Sequence, residues 1–88
     1  MAKCFELRVL TAEGPVLEGR AAYARLETEE GSVGVLANHA PMMCALREGT
    51  ARFRMEDGSE KQVRLSSGIA DVRENRLTVL SDSAEVMA

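Results

Sequence analysis

Apolar residues fall on every second position through most of this chain, and turn-forming residues break the alternation at intervals of roughly 8 to 12 residues. A period of two marks a strand with one buried face, whereas a helix repeats at 3.6. Phe5, Leu7 and Val9 alternate with Glu6 and Arg8. Ala22, Ala24 and Leu26 alternate with Tyr23, Arg25 and Glu27. Met42, Cys44 and Leu46 share a face, and Ala51, Phe53 and Met55 alternate with Arg52 and Arg54. Many short strands of this kind predict an all-β sandwich or barrel.

The turns are written in Glu13-Gly14-Pro15, Glu29-Glu30-Gly31, Arg47-Glu48-Gly49, Asp57-Gly58, Ser66-Ser67-Gly68 and Glu74-Asn75. Asp57-Gly58 predicts a hairpin with a type I′ turn, because that turn needs positive φ at both central residues. Between the turns, a short strand Val16 to Glu18 is expected, then a separate strand Arg20 to Thr28. Val33 to Leu36 is too short for a helix. Val63 with Leu65, Ile69 to Val72, and Leu77, Val79 and Leu80 complete the set. The tail SDSAEVMA breaks the rule: Ser81, Asp82 and Ser83 are N-cap residues, and Glu85 suits a helix N-terminus. A helix start is predicted there.

With 88 residues the chain has room for one small domain. Its aromatics are only Phe5, Tyr23 and Phe53, so the core must rest on Val, Leu, Ile, Met and Ala. Eleven basic and 14 acidic residues give a net charge of -3 with no basic block, which excludes a phosphate-backbone footprint and hence nucleic acid. No apolar run approaches the roughly 20 residues of a membrane span, and the N-terminus lacks a signal-peptide core. The expectation is a soluble, non-exported protein. Cys4 and Cys44 read as reduced, small hydrophobes, with a disulfide between them as the alternative that lacks a secretory context.

The lone histidine, His39, sits in GVLANHAPM and raises the question of proton chemistry. Its nearest nucleophile in sequence is Cys44, and five residues of strand put the two on opposite faces, about 16 Å apart. The carboxylates alternate with apolar residues or occupy turns, where solvated charge belongs. No phosphate-cradling glycine motif is present. Residues alone therefore give a small β-sandwich without catalytic machinery, and no cofactor or metal is expected.

Three segments, EGSVGVLANHAPMMCAL, SSGIADV and LTVLSDSAE, follow the patterns EGxxGVLPGHAPLLxxL, SGGfxEV and vTVLadxAE in order and spacing. With the opening LRVLTAEGPVLEG, the chain resembles the epsilon subunit of F-type ATP synthases, called delta in mitochondria. The resemblance implies a flattened sandwich of two five-stranded sheets over residues 1–82, with 83–88 as the stub of a helical domain. It implies a non-catalytic rotor subunit of the central stalk, bound to the gamma subunit and seated on the c-subunit ring. Such a subunit couples ion-driven rotation to ATP synthesis, with the alpha/beta hexamer as an indirect partner. It would be peripheral, on the cytoplasmic face of an energy-transducing membrane such as the bacterial inner membrane, without inserting. A free-standing β-sandwich binding module of another complex is the alternative.

Carried over by position, Thr11, His39 and Met42 or Met43 match the gamma-facing region. By alternation one methionine points in and the other out; the sequence does not say which. Glu29, Glu30, Gly31 and Ser32 match the loop that meets the c ring. Relatives often carry an acidic residue where Ser32 stands, so Glu29 or Glu30 must supply the charge. Ala37-Asn38 replaces the usual Pro-Gly, and Asn tolerates the positive φ such a turn needs. Most relatives continue into a regulatory helical hairpin, which in some binds ATP. The sequence stops at Ala88, so the expectation is a naturally short form with neither hairpin-type inhibition nor ATP binding.

Overall fold

A computed structural model describes residues 3–87 and places them in strands, turns and short connections. The strands are β1 (Phe5–Thr11), β2 (Gly14–Thr28), β3 (Gly31–Leu36), β4 (Met42–Leu46), β5 (Gly49–Met55), β6 (Glu60–Leu65), β7 (Gly68–Arg73), β8 (Arg76–Ser81) and β9 (Ala84–Met87). The all-β expectation is met.

Their pairings form one continuous hydrogen-bonded system that divides into two runs of five strands sharing β2. One run is β2-β1-β8-β7-β4, in which β1 and β8 are parallel and the other neighbours antiparallel. The second, β3-β2-β5-β6-β9, is antiparallel throughout. The expected pair of five-stranded sheets fits this pattern with β2 counted in both. A single pairing, Thr28 with Leu46, ties β2 to β4.

β2 makes this possible by bending. Its 15 residues would run about 46 Å if straight, whereas the longest principal extent of the domain is 34 Å. Two register shifts mark the bend, one opposite Val9/Leu10 and one between Ala21 and Tyr23. Each leaves an extra residue in β2, and such bulges increase local twist. The separate strands expected at Val16–Glu18 and Arg20–Thr28 are thus one strand, because Gly19 stays in the ladder opposite Leu7 instead of breaking it.

The inward residues of each strand meet between the sheets. Phe5, Leu7, Val9, Leu26, Phe53, Val63, Leu77 and Val79 are each at most 1% exposed. Burying one such aliphatic or aromatic side chain contributes roughly 1.5–3 kcal/mol. The seven ion pairs among the described residues all lie on the surface, where a pair contributes roughly 0–1 kcal/mol. Core burial therefore outweighs the ion pairs.

Two local expectations are corrected. The Asp57-Gly58 hairpin exists, but its turn is not type I′: Gly58 has φ +89, while Asp57 is not among the positive-φ residues. The Asp57 carboxylate accepts hydrogen bonds from the Ser59 amide (2.9 Å) and hydroxyl (2.7 Å). These bonds lower its pKa and fold the loop into a longer connection closed by Met55 and Ser59. The two-residue turn with both φ positive is instead Glu74-Asn75, at +49 and +59.

The second correction is the tail. No helix starts there; Ala84–Met87 is the edge strand on β6. The residues that would cap a helix are engaged elsewhere. The buried Ser81 hydroxyl lies 2.8 Å from the Ser83 carbonyl and 3.1 Å from that of Ser66, and the Ser83 amide donates to the Ser66 hydroxyl at 2.9 Å. Pinned to the β6–β7 loop, the chain leaves Ser83 extended. Residues 1–2 and 88 of the two expected ranges lie outside the described residues.

Gly68, opening β7, shows how closely two strands approach. A Cβ there would stand 2.1 Å from the Leu80 carbonyl oxygen and 2.8 Å from Ser81 Cα, both rigid backbone. Gly68→Ala is expected to destabilise the fold by at least about 2 kcal/mol in urea unfolding. Gly58→Ala has open space and only a positive φ to overcome, so its loss should be about 1 kcal/mol.

Candidate functional site

The loop after β3 is a reverse turn with the Leu36 carbonyl accepting from the His39 amide at 3.2 Å. Asn38 has φ +62 and Ala37 is not among the positive-φ residues. That is the pattern of a type II turn, for which Pro-Gly is the usual pair and Asn a workable third position. The expected tolerance of Ala37-Asn38 is met.

Asn75 holds this turn in place from the β7–β8 connection. Its side-chain oxygen accepts from the Asn38 amide at 2.7 Å, and its side-chain nitrogen donates to the Cys4 carbonyl at 3.0 Å. Its own carbonyl accepts from the Glu6 amide at 3.1 Å. One residue thus joins the start of β1, the β7–β8 turn and the histidine loop.

His39 is half-buried against Phe5, Val35, Leu36 and Leu77, in a cleft with no room for a water molecule. Its Nδ1 stands 2.6 Å from the Ala40 carbonyl. A carbonyl can only accept, so that nitrogen carries the proton. Cys44 lines a different depression, of about 250 Å³, with Thr28, Glu29, Glu30, Met43 and Ala45. Burial, and then the Glu30 charge, push the Cys44 thiol pKa up, the opposite of what an activated nucleophile needs. Both cysteines are free thiols. The Cys44–His39 pairing therefore has neither shared geometry nor the right electrostatics.

The β2–β3 hairpin is capped by Thr28, which is 3% exposed. Its hydroxyl accepts from the Glu30 amide at 3.1 Å and donates to the Gly31 carbonyl at 2.6 Å. The Glu29 amide donates to the Ala45 carbonyl at 3.0 Å, fixing the tip to β4. Gly31 takes φ +120. Ser32 is drawn sideways, donating to the Glu27 carboxylate at 2.9 Å. Glu29 and Glu30 are exposed and form no ion pair among the described residues, so both carry the tip's charge.

On β4 the methionines separate. Met42 packs against the core and Met43 is 65% exposed. Cross-strand pairs then run Ala45–Ile69, Ile69–Leu80 and Leu80–Leu10 over β4, β7, β8 and β1. Directly opposed residues share a face, and Ile69 and Leu80 are 49% and 51% exposed. The outer side of this sheet therefore bears an apolar stripe with Met43 beside one end; Thr11 follows Leu10 at the other end, on the opposite face by alternation. The Thr11 hydroxyl accepts from the Glu13 amide at 3.1 Å, capping its own turn. His39 lies by the opposite ends of these strands, near the Arg76–Glu6 pair.

The family model described as the ATP synthase delta/epsilon chain, beta-sandwich domain, matches residues 4–87. The chain belongs to this family. It is 36% identical over 85 residues to the ATP synthase epsilon chain of Desulfitobacterium hafniense strain DCB-2, covering 97% of this chain and 64% of that one. It is 39% identical over 80 residues to the epsilon chain of Shouchella clausii, covering 91% and 59%. It thus spans about three-fifths of the length of these relatives. A chain of the Euglena gracilis mitochondrial ATP synthase (OSCP/F1/c-ring, rotational state 1) shares the fold, with TM-score 0.91 and 24% identity, over 98% of this chain and 55% of that one. A chain of the Tetrahymena thermophila mitochondrial ATP synthase central stalk and c-ring superposes with TM-score 0.76 at 15% identity, over 91% and 64%.

For this delta/epsilon-type domain, sequence reasoning missed four contributors. Ile69 and Leu80 were legible as apolar residues out of phase with Ala70, Val72 and Val79. Asn75 was legible as a turn residue, but the reach of its side chain to Asn38 and Cys4 had no local signal. Thr28 had none either.

The raised thiol pKa gives a direct test. Alkylation of Cys44 should be slow at neutral pH and accelerate only above the ordinary thiol range, and Glu30→Gln should speed it by removing the smaller of the two causes. Iodoacetamide labelling followed by mass spectrometry measures both. Rapid labelling at pH 7 would contradict this account.

Proposed function

We propose that the chain is a non-catalytic central-stalk subunit of an F-type ATP synthase. In this reading it binds gamma through the apolar stripe and meets the c ring through the acidic hairpin tip. It couples ion-driven rotation to ATP synthesis without making or breaking bonds. The observation that carries the reading is the stripe Ala45–Ile69–Leu80–Leu10 with Met43 beside it, in a chain of the delta/epsilon family. An exposed apolar strip rimmed by charge marks a protein contact, and a stable interface buries on the order of 800 Å² per partner. That is a large part of a domain whose whole accessible surface is 5332 Å².

Met43 borders that contact, with Thr11 turned to the opposite face at its far end; Met42 supports it from beneath, and His39 holds the rim near Asn75. Glu29 and Glu30, presented on the Thr28-capped tip with Gly31 and Ser32, face the polar loops of the ring. The subunit sits peripherally on the membrane-bound complex, on its cytoplasmic face in a bacterium. Coupling parts work through shape and rigidity, which the anchored turns supply.

Mixing the chain with gamma tests the first contact. Met43→Asp and Ile69→Asp should each weaken co-elution at least tenfold, about 1.4 kcal/mol, while moving folding stability by only about 0.5 kcal/mol. Wild-type protein and folded gamma that fail to associate would refute the reading. For the tip, Glu29→Lys with Glu30→Lys should lower ATP-driven ion pumping per ATP hydrolysed in reconstituted vesicles. Unchanged pumping would remove the tip from the coupling path.

A further inference from the structure

The apolar stripe is bordered by a group whose chemistry can change after the chain has folded. Among the described residues the sulfur atoms belong to Cys4, Cys44, Met42, Met43, Met55 and Met87. Cys4 is buried, and Met42, Cys44 and Met55 pack against the core. The Cys44 thiol is protected further, because its raised pKa leaves little of the thiolate that oxidants attack. Met87 is 40% exposed but stands on edge strand β9 of the other sheet, opposite Gln62. Met43, 65% exposed, is thus the one open thioether among the described residues that borders the stripe.

We infer that Met43 is an oxidation site that controls docking on the stripe: as methionine it admits an apolar partner, and as the sulfoxide it excludes one. The effect depends on the apolar contact proposed above, because only a partner that covers Met43 would sense the change. With hydrogen peroxide as oxidant, the thioether sulfur attacks one peroxide oxygen with its lone pair. An S–O bond forms, the O–O bond breaks, and the other oxygen leaves as water; sulfur gives up two electrons and the peroxide takes them. The product is a polar, hydrogen-bond-accepting group where the contact needs an apolar one, and covering such an acceptor without a donor carries a desolvation cost. The surroundings suit the oxidised form on the free chain. Met43 lies directly opposite Asp71 on β7 and lines a depression of about 410 Å³ with Asp71 and Arg73. The Arg73 Nε donates to Asp71 at 3.0 Å, and its terminal guanidinium nitrogens carry further N–H donors for a sulfoxide oxygen in the same depression. Met43 takes no part in the core, so the oxidised chain stays folded. Docking would cover the side chain, so oxidation acts on the unbound subunit, and enzymatic reduction of the sulfoxide reverses it.

The test exposes the purified 88-residue chain to hydrogen peroxide, removes the oxidant and then adds gamma. Peptide mass mapping should show Met43 gaining an oxygen before Met42, Met55 and Met87. The chain oxidised at Met43 should co-elute with gamma at least tenfold more weakly than untreated chain, with an unchanged urea midpoint, and methionine sulfoxide reductase should restore binding. Met43→Leu keeps every other methionine, so it should bind gamma alike before and after peroxide. Gamma added ahead of the peroxide should slow oxidation of Met43. Untreated chain that fails to bind folded gamma would overturn the stripe contact and the oxidation site's role together. Undiminished binding after oxidation of Met43, a matching loss in Met43→Leu, slower oxidation of Met43 than of Met42, or no protection by bound gamma would overturn the role of Met43 alone and leave association with gamma standing.

Discussion

Strand β2 belongs to both sheets, and most other features follow from that constraint. It pairs with β1, β3, β4 and β5, so a shift of its register would move the inward residues of both sheets together. Its ends are closed by the same device. Thr11-Ala12-Glu13-Gly14 and Thr28-Glu29-Glu30-Gly31 each place a threonine hydroxyl 3.1 Å from the amide two residues on, followed by a glycine near φ +120. Each hairpin is therefore set by its own backbone and a buried or half-buried hydroxyl. Glu29 and Glu30 stand on a tip fixed to β4 by the Glu29 amide.

The sandwich thus presents two unlike faces. The β2-β1-β8-β7-β4 sheet exposes apolar residues in register across four strands, and the β3-β2-β5-β6-β9 sheet exposes arginines. Exposed Ile69, Leu80 and Met43 gain little from burial in the isolated fold, whereas Arg25 opposite Arg52 has the Glu27 carboxylate beside it. An exposed apolar strip of this kind fits the partner contact proposed above.

Alternation made the strands legible, since a half-buried strand has no other way to satisfy one wet and one dry face. Where the reading went astray, a side chain had redirected the backbone. Asp57 accepts two bonds from Ser59 and converts a two-residue turn into a longer one. Ser66, Ser81 and Ser83 bond to one another's groups and deny a helix its caps. These contacts join residues up to 17 apart, beyond any local propensity. The site was legible in part: the Glu29-Glu30 tip and the Ala37-Asn38 turn follow from local chemistry. The outward choice of Met43 required the register of β4 against β7.

His39 illustrates why residue type alone misleads about function. A lone histidine beside a proline invites a catalytic reading, yet general acid–base work needs a substrate or water within hydrogen-bond reach. One ring nitrogen is tied to the Ala40 carbonyl, Cys44 lines a different depression, and the loop is positioned by Asn75 through the Asn38 amide. The imidazole is half-buried at the edge of the core, beside Phe5 and Leu77, with no nucleophile among the described residues that line its cleft. A loop built this way holds a defined surface shape.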